Sequence, residues 1–195
     1  MATGIEKLSK LTLMAEHEAR TGVLKTDGEM RAKRGHQVEY LSNEVVKIIA
    51  RHDDESGNAY LASLRAALSA DPNWPKLVSL LDQAADAKEG RYRHARAMSG
   101  DMPETESPAT QWDALGLRVA ISRGLLSQLA SAEGSKTASA AINMELLRPV
   151  VRWWHLVYRG WGHGVAGERG RQNAPEIKLE VDNLPPELRA FVEAL

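Results

Sequence analysis

The chain has 195 residues, 43% hydrophobic and 5% aromatic, with 25 Lys and Arg against 26 Asp and Glu. That length can bury a sizeable core without metals or crosslinks, and the absence of cysteine excludes a disulfide framework, a thiolate zinc site, an iron–sulfur cluster and a cysteine nucleophile. A formal charge of −1 supplies no global field toward nucleic acid or membrane, so any electrostatic function has to be local.

Many Leu, Ala and Val residues with few aromatics favour helices over sheets. Glu6 and Lys7 stand where a secretory signal needs its apolar region, and no run of about eighteen apolar residues occurs. A cytoplasmic protein without membrane contact is expected.

In chain order, a first helix is predicted over about 4–20, with Ile5, Leu8, Leu11 and Met14 inward and Gly22 as its stop. From Val38 to His52, a spacing of 100° per residue places Val38, Leu41, Val45, Ile48 and Ile49 on one narrow face. Asn58 is the predicted cap of a short helix carrying Leu61, Leu64 and Leu68. The D-P-N-W-P segment restarts the chain, and Leu77, Leu80, Leu81 and Ala84 mark the next helix.

Residues 99–110 mix Pro, Gly, Ser and acids without apolar period, which predicts an exposed loop. The helix after it, about 111–132, carries Leu115, Leu117, Val119, Ile121, Leu125, Leu126 and Leu129 nearly all round, the pattern of a central helix. Gly116 and Gly124 are expected to admit close neighbours. A further helix begins near Ser139 or Met144 and ends near Gly160, with Pro149 at a kink or in a first turn. Residues 160–173 are expected to be loop. E-I-K-L-E-V, 176–181, alternates as a strand does, and Pro185 and Pro186 open a final helix with Leu188, Phe191, Val192 and Leu195. The expectation is an all-α, single-domain bundle of about six or seven helices with a short C-terminal β segment inside a loop–strand–helix appendage at 161–195.

Three of the five tryptophans lie in R-W-W-H-L-V-Y-R-G-W, Arg152 to Trp161. On a helix, Leu146, Leu147, Val150, Val151, Trp153, Trp154, Val157, Tyr158 and Trp161 share an arc of about 160°. The indoles therefore read as core. Arg148, Arg152, His155 and Arg159 fall on the opposite side, and Arg169 and Arg171 follow in the loop. These six are the candidate contacts for a partner or for phosphate, with Glu145 able to pair Arg148 along the helix.

G-H-G-V-A-G, Gly162 to Gly167, has dinucleotide-loop spacing but follows a helix instead of a strand, and E-R-G-R-Q-N-A-P should not start the required helix. His17-Glu18 lacks the second histidine of a metalloprotease, since position 21 is Thr, and His155 with His163 lacks a third zinc ligand. L-A-S-A-E-G, Leu129 to Gly134, matches only half of a helix-turn-helix pattern. Two further basic groups, Arg31/Lys33/Arg34 and Arg91/Arg93/Arg96, form secondary patches.

No residue is assigned a catalytic or metal-ligating role and no cofactor is expected. The sequence points to a non-catalytic interaction protein or assembly subunit, binding a protein partner or a second copy of itself through the basic face and loop at 148–171. The alternatives are a nucleic-acid-binding protein using the same arginines and a helical enzyme whose site is dispersed in sequence.

Overall fold

The computed structural model describes residues 1–26, 28–29, 37–86, 93–100 and 106–195. Within them lie nine α-helices and no strand. They are α1 (Ala2–Thr21), α2 (Val38–Ser56), α3 (Ala59–Ser69), α4 (Trp74–Ala85), α5 (Arg93–Met98), α6 (Pro108–Ser122), α7 (Ala132–Gly162), α8 (Gly167–Asn173) and α9 (Pro186–Glu193). Short 3₁₀ turns occupy Gln128–Ala130, Ala174–Ile177 and Val181–Asn183. The count exceeds six or seven mainly through the short helices α5 and α8. No helix of the described residues is long and apolar enough to cross a membrane.

Side-chain caps fix several starts. Asn58 accepts the amide of Leu61 at 3.1 Å, Ser107 that of Thr110 at 3.0 Å and Ser131 that of Gly134 at 3.2 Å. With Ser107 as cap and Pro108 in the first turn, α6 begins inside the segment expected to be loop; residues 101–105 of that segment lie outside the described residues.

α6 also stops ten residues short of the expected end. Gly124 takes φ +66°, a left-handed conformation that few side chains tolerate. The Leu125 amide then reaches back to the Ala120 carbonyl at 2.8 Å, a Schellman-type closure. Gly124 is therefore a helix stop and not a packing notch, whereas Gly116 does admit the Ile142 side chain, 3.4 Å from where a Cβ would stand. Leu117 and Ile121 remain more than half exposed, so α6 is peripheral, and Leu126 beyond its end is about half exposed.

The central helix is α7, which touches α1, α2, α3, α4, α6, α8 and α9. It starts at Ala132, before Ser139, and runs straight through Pro149. The buried proline leaves the Glu145 carbonyl without its usual amide donor, yet the helix continues because its apolar face is packed on both sides of that residue. Trp153 is fully buried and stacks on Trp74 of α4, ring centroids 6.2 Å apart at 17°. One apolar cluster joins these rings to Ile5, Val45, Ile49, Leu61, Leu77, Leu146 and Leu156.

On α2, all five residues assigned to the narrow face are buried, as are Leu61, Leu64 and Leu68 on α3. On α1 the buried face is rotated from the expected one. Ile5 and Leu8 are buried, but so are Ser9, Thr12 and Ala15, while Leu11 is about half exposed. The cause is polar: Trp161 donates its indole N–H to Thr12 Oγ1 at 2.9 Å, and the Thr12 hydroxyl donates to the Leu8 carbonyl at 2.8 Å. Thr12 brings an acceptor inside for the Trp161 indole without exposing its own hydroxyl proton, whereas the Trp153 indole N–H is buried with no acceptor.

The C-terminal segment departs furthest from expectation. No strand forms at 176–181, because a single alternating segment has no neighbouring strand among the described residues to share a ladder with. Pro175 opens a 3₁₀ turn instead, and Trp154 donates its indole N–H to the Ile177 carbonyl at 2.6 Å. The expected loop at 160–173 contains α8, so E-R-G-R-Q-N does form a helix. Residues 161–195 accordingly pack on the bundle through α8, the 3₁₀ turn and α9, all of which touch α7.

Replacing Thr12 by the isosteric Val should strand the Trp161 indole N–H and lower unfolding free energy by about 1–3 kcal/mol, measured by chemical denaturation. Thr12→Ser, which keeps the acceptor, should lose less than half of that.

Candidate functional site

The α7 wheel places four basic residues opposite the indoles, and the structure shows what they meet there. Arg148, Arg152, His155 and Arg159 are all half-buried, because α3 and α9 lie along their face. Arg148 pairs with Glu145 at 2.5 Å, the pair anticipated from the i,i+3 spacing, and its guanidinium lies 5.3 Å from the Phe191 ring centre. Arg152 pairs with Asp71 at 2.6 Å and lies 5.1 Å from the same ring on its α9 side. The guanidiniums expected to point into water are thus covered at this end, held by carboxylates and by cation–π contact.

Asp71 does two jobs. Its Oδ1 accepts the Asn73 amide at 3.0 Å, closing the D-P-N turn between α3 and α4, while Oδ2 holds Arg152. It is nearly buried, at 9% side-chain exposure, so removing Arg152 would leave a shielded carboxylate without its cation.

His155 and Arg159 meet Tyr60 of α3. The Tyr60 hydroxyl lies 3.2 Å from His155 Nε2 and 3.4 Å from the Leu195 carbonyl, and the histidine tautomer decides which of these accepts its proton. Burial, reinforced by the adjacent Arg159 charge, holds the His155 pKa below its ordinary value. The Arg159 guanidinium stands 4.9 Å from the Tyr60 ring centre and 6.0 Å from that of Tyr158. Its Nε is buried without a hydrogen-bond partner, and no carboxylate of the described residues pairs with it.

Beyond Arg159 the face opens. A cleft of about 340 Å³ is lined by Tyr158, Arg159, His163, Arg171, Ala174 and Pro175, together with Gly162. Arg171, on α8, pairs loosely with Glu168 at 3.4 Å, both side chains being more than half exposed. Its guanidinium lies over Gly164: a Cβ there would come within 2.5 Å of Nη2, and φ is +91°. The left-handed backbone favours glycine at that position, and the guanidinium above it is the end of a flexible, exposed side chain. The His163 ring sits 6.2 Å from that of Tyr60. Arg169 points away and pairs with Glu18 of α1 at 2.9 Å.

The six candidate residues therefore separate into three groups. Arg148, Arg152 and His155 lie under α9 and Tyr60, Arg159 and Arg171 share the open cleft, and Arg169 faces α1. Of the secondary patches, Arg93 and Arg96 lie on α5 and each already engages another group, whereas Arg31, Lys33, Arg34 and Arg91 lie outside the described residues. Sequence reasoning missed Tyr60, Asp71 and Phe191, which decide how much of the basic face is free. Only Tyr60 left a signal, an aromatic just inside the Asn58 cap and off the Leu61–Leu64–Leu68 face. Among the described residues no group of three His, Asp or Glu side chains is placed to hold a metal ion.

No protein-family model, curated protein or solved structure matches the chain.

Two expectations follow from this geometry. Arg152→Ala should cost about 1–3 kcal/mol by stranding Asp71, seen as a lower denaturation midpoint with unchanged helicity. Because the fold favours neutral His155, its contribution to stability is complete above the ordinary imidazole pKa of 6.5 and is lost as pH falls through the lower folded value. The melting temperature should therefore drop on acidification below about pH 6.5 in the wild type, and drop less in His155→Gln.

Proposed function

We propose that this chain is a non-catalytic helical interaction module that receives an acidic group of a protein partner at the open end of the α7 basic face, where Arg159 and Arg171 converge. The observation that carries the reading is the state of Arg159. It is half-buried between two tyrosine rings, and no carboxylate among the described residues neutralises it. A cation partly withdrawn from water is short of favourable contacts, and an incoming anion restores them.

The other cations on the face favour the same location. Arg148 and Arg152 already have Glu145, Asp71 and Phe191, so a partner gains little there. A nucleic-acid strand is served less well, since it draws affinity from a long row of cations, whereas Arg169 turns away to Glu18 and only Arg159 and the loosely paired Arg171 share the open cleft.

The test is fluorescence anisotropy of the intact protein with a labelled glutamate-rich peptide and a single-stranded oligonucleotide of equal length, at low and physiological salt. The peptide should bind with a shallow salt dependence. The pair Arg159→Ala and Arg171→Ala should weaken it by about tenfold or more, from the loss of charge-assisted bonds worth about 1.5–3 kcal/mol each, with helicity unchanged by circular dichroism. Tighter, steeply salt-dependent binding of the oligonucleotide replaces this reading with the nucleic-acid one. Equal peptide binding by the double variant, or no binding at all, refutes it.

A further inference from the structure

Four other grooves on the described surface each carry at least one carboxylate: Glu176 in one, Glu39 and Glu106 in another, Glu16 and Glu55 in a third, Glu176, Glu180 and Asp182 in a fourth. The cleft at the end of α7 has none in its lining. It collects two guanidiniums from two different elements, α7 and α8, along with the His163 imidazole and the Tyr158 ring.

Arg159 lies against the Tyr60 and Tyr158 rings, and Arg171 passes over Gly164 with only a loose, exposed pairing to Glu168. A planar guanidinium offers parallel N–H donors, and one such fork satisfies both oxygens of a carboxylate. Two forks arriving from separate helices suit an anion that presents three oxygens in a tetrahedral array and carries close to two charges. The volume of about 340 Å³ is more than a carboxylate fills, and Tyr158, Ala174 and Pro175 give it an apolar wall beside the charges.

From this we infer that the cleft binds a phosphate monoester, with Arg159 and Arg171 on the phosphoryl oxygens and the ester group against Tyr158 and Pro175. The inference rests on the interaction-module reading above and narrows the acidic group to one chemical class. A phosphorylated side chain of a partner and a free small phosphate ester share that chemistry.

Isothermal titration of the intact protein with phenyl phosphate and with benzoate tests it, the two probes sharing a ring and differing in the anion. Phenyl phosphate should bind at least about tenfold more tightly than benzoate, the scale of one lost charge-assisted bond. Arg171→Ala should abolish the preference without moving the melting temperature, since that side chain is exposed. Arg171→Lys, which keeps the charge but not the fork, should lose most of it. A phosphotyrosine peptide binding more tightly than phenyl phosphate identifies a protein source and supports both readings; equal affinity identifies a small ester, which supports the phosphate assignment and removes the protein-partner reading. Equal binding of phenyl phosphate and benzoate, or a preference that survives Arg171→Ala, overturns it. If the glutamate-rich peptide binds while phenyl phosphate does not, the phosphate assignment falls and the module stands; if neither binds, both fall.

Discussion

Burial of the indole face of α7 is the constraint on which the other elements depend. Trp153 is sealed against Trp74, and Trp161 reaches across to α1 for a hydroxyl acceptor. Trp154 uses its N–H to hold the Ile177 carbonyl. Three consecutive demands of one helix thereby position α4, α1 and the C-terminal segment. Each is met differently, by ring stacking, by a buried threonine and by a backbone carbonyl. Since α7 is anchored on this side, its opposite face is fixed in direction as well, which is why four basic residues form a line.

Much of the fold was legible because helical periodicity records burial wherever apolar side chains do the packing. The five residues on α2 and the three leucines on α3 are the clear cases, and Asn58 announces its own cap. Legibility failed where polar groups decided. Thr12 turned the face of α1, because a buried hydroxyl looks like a solvent residue in a hydropathy pattern. α6 looked central because its leucines go round the helix, yet the helix ends before Gly124 and leaves Leu117 and Ile121 at the surface. The alternation at 176–181 was real as a pattern, but a strand is a relation between two segments, and one segment cannot specify it.

At the candidate site the sequence supplied the cations and not their partners. Arg148, Arg152, His155 and Arg159 were recognisable as a stripe, while Tyr60, Asp71 and Phe191 lie up to about a hundred residues away in sequence and come to it only through packing. The distinction between a covered and an open arginine is a tertiary property. It separates Arg152, which has a carboxylate and a ring against it, from Arg159, which no carboxylate of the described residues meets.

The double engagement of Asp71 has a mechanical meaning. One oxygen fastens the corner joining two helices, and the other reaches the long central rod at the point where an aromatic from the chain's last helix rests. A single small acid is thus the rivet through which three distant stretches of polypeptide share load. Loosening that corner would remove one of the supports of the last helix, which also rests on Arg148 and the buried Leu188.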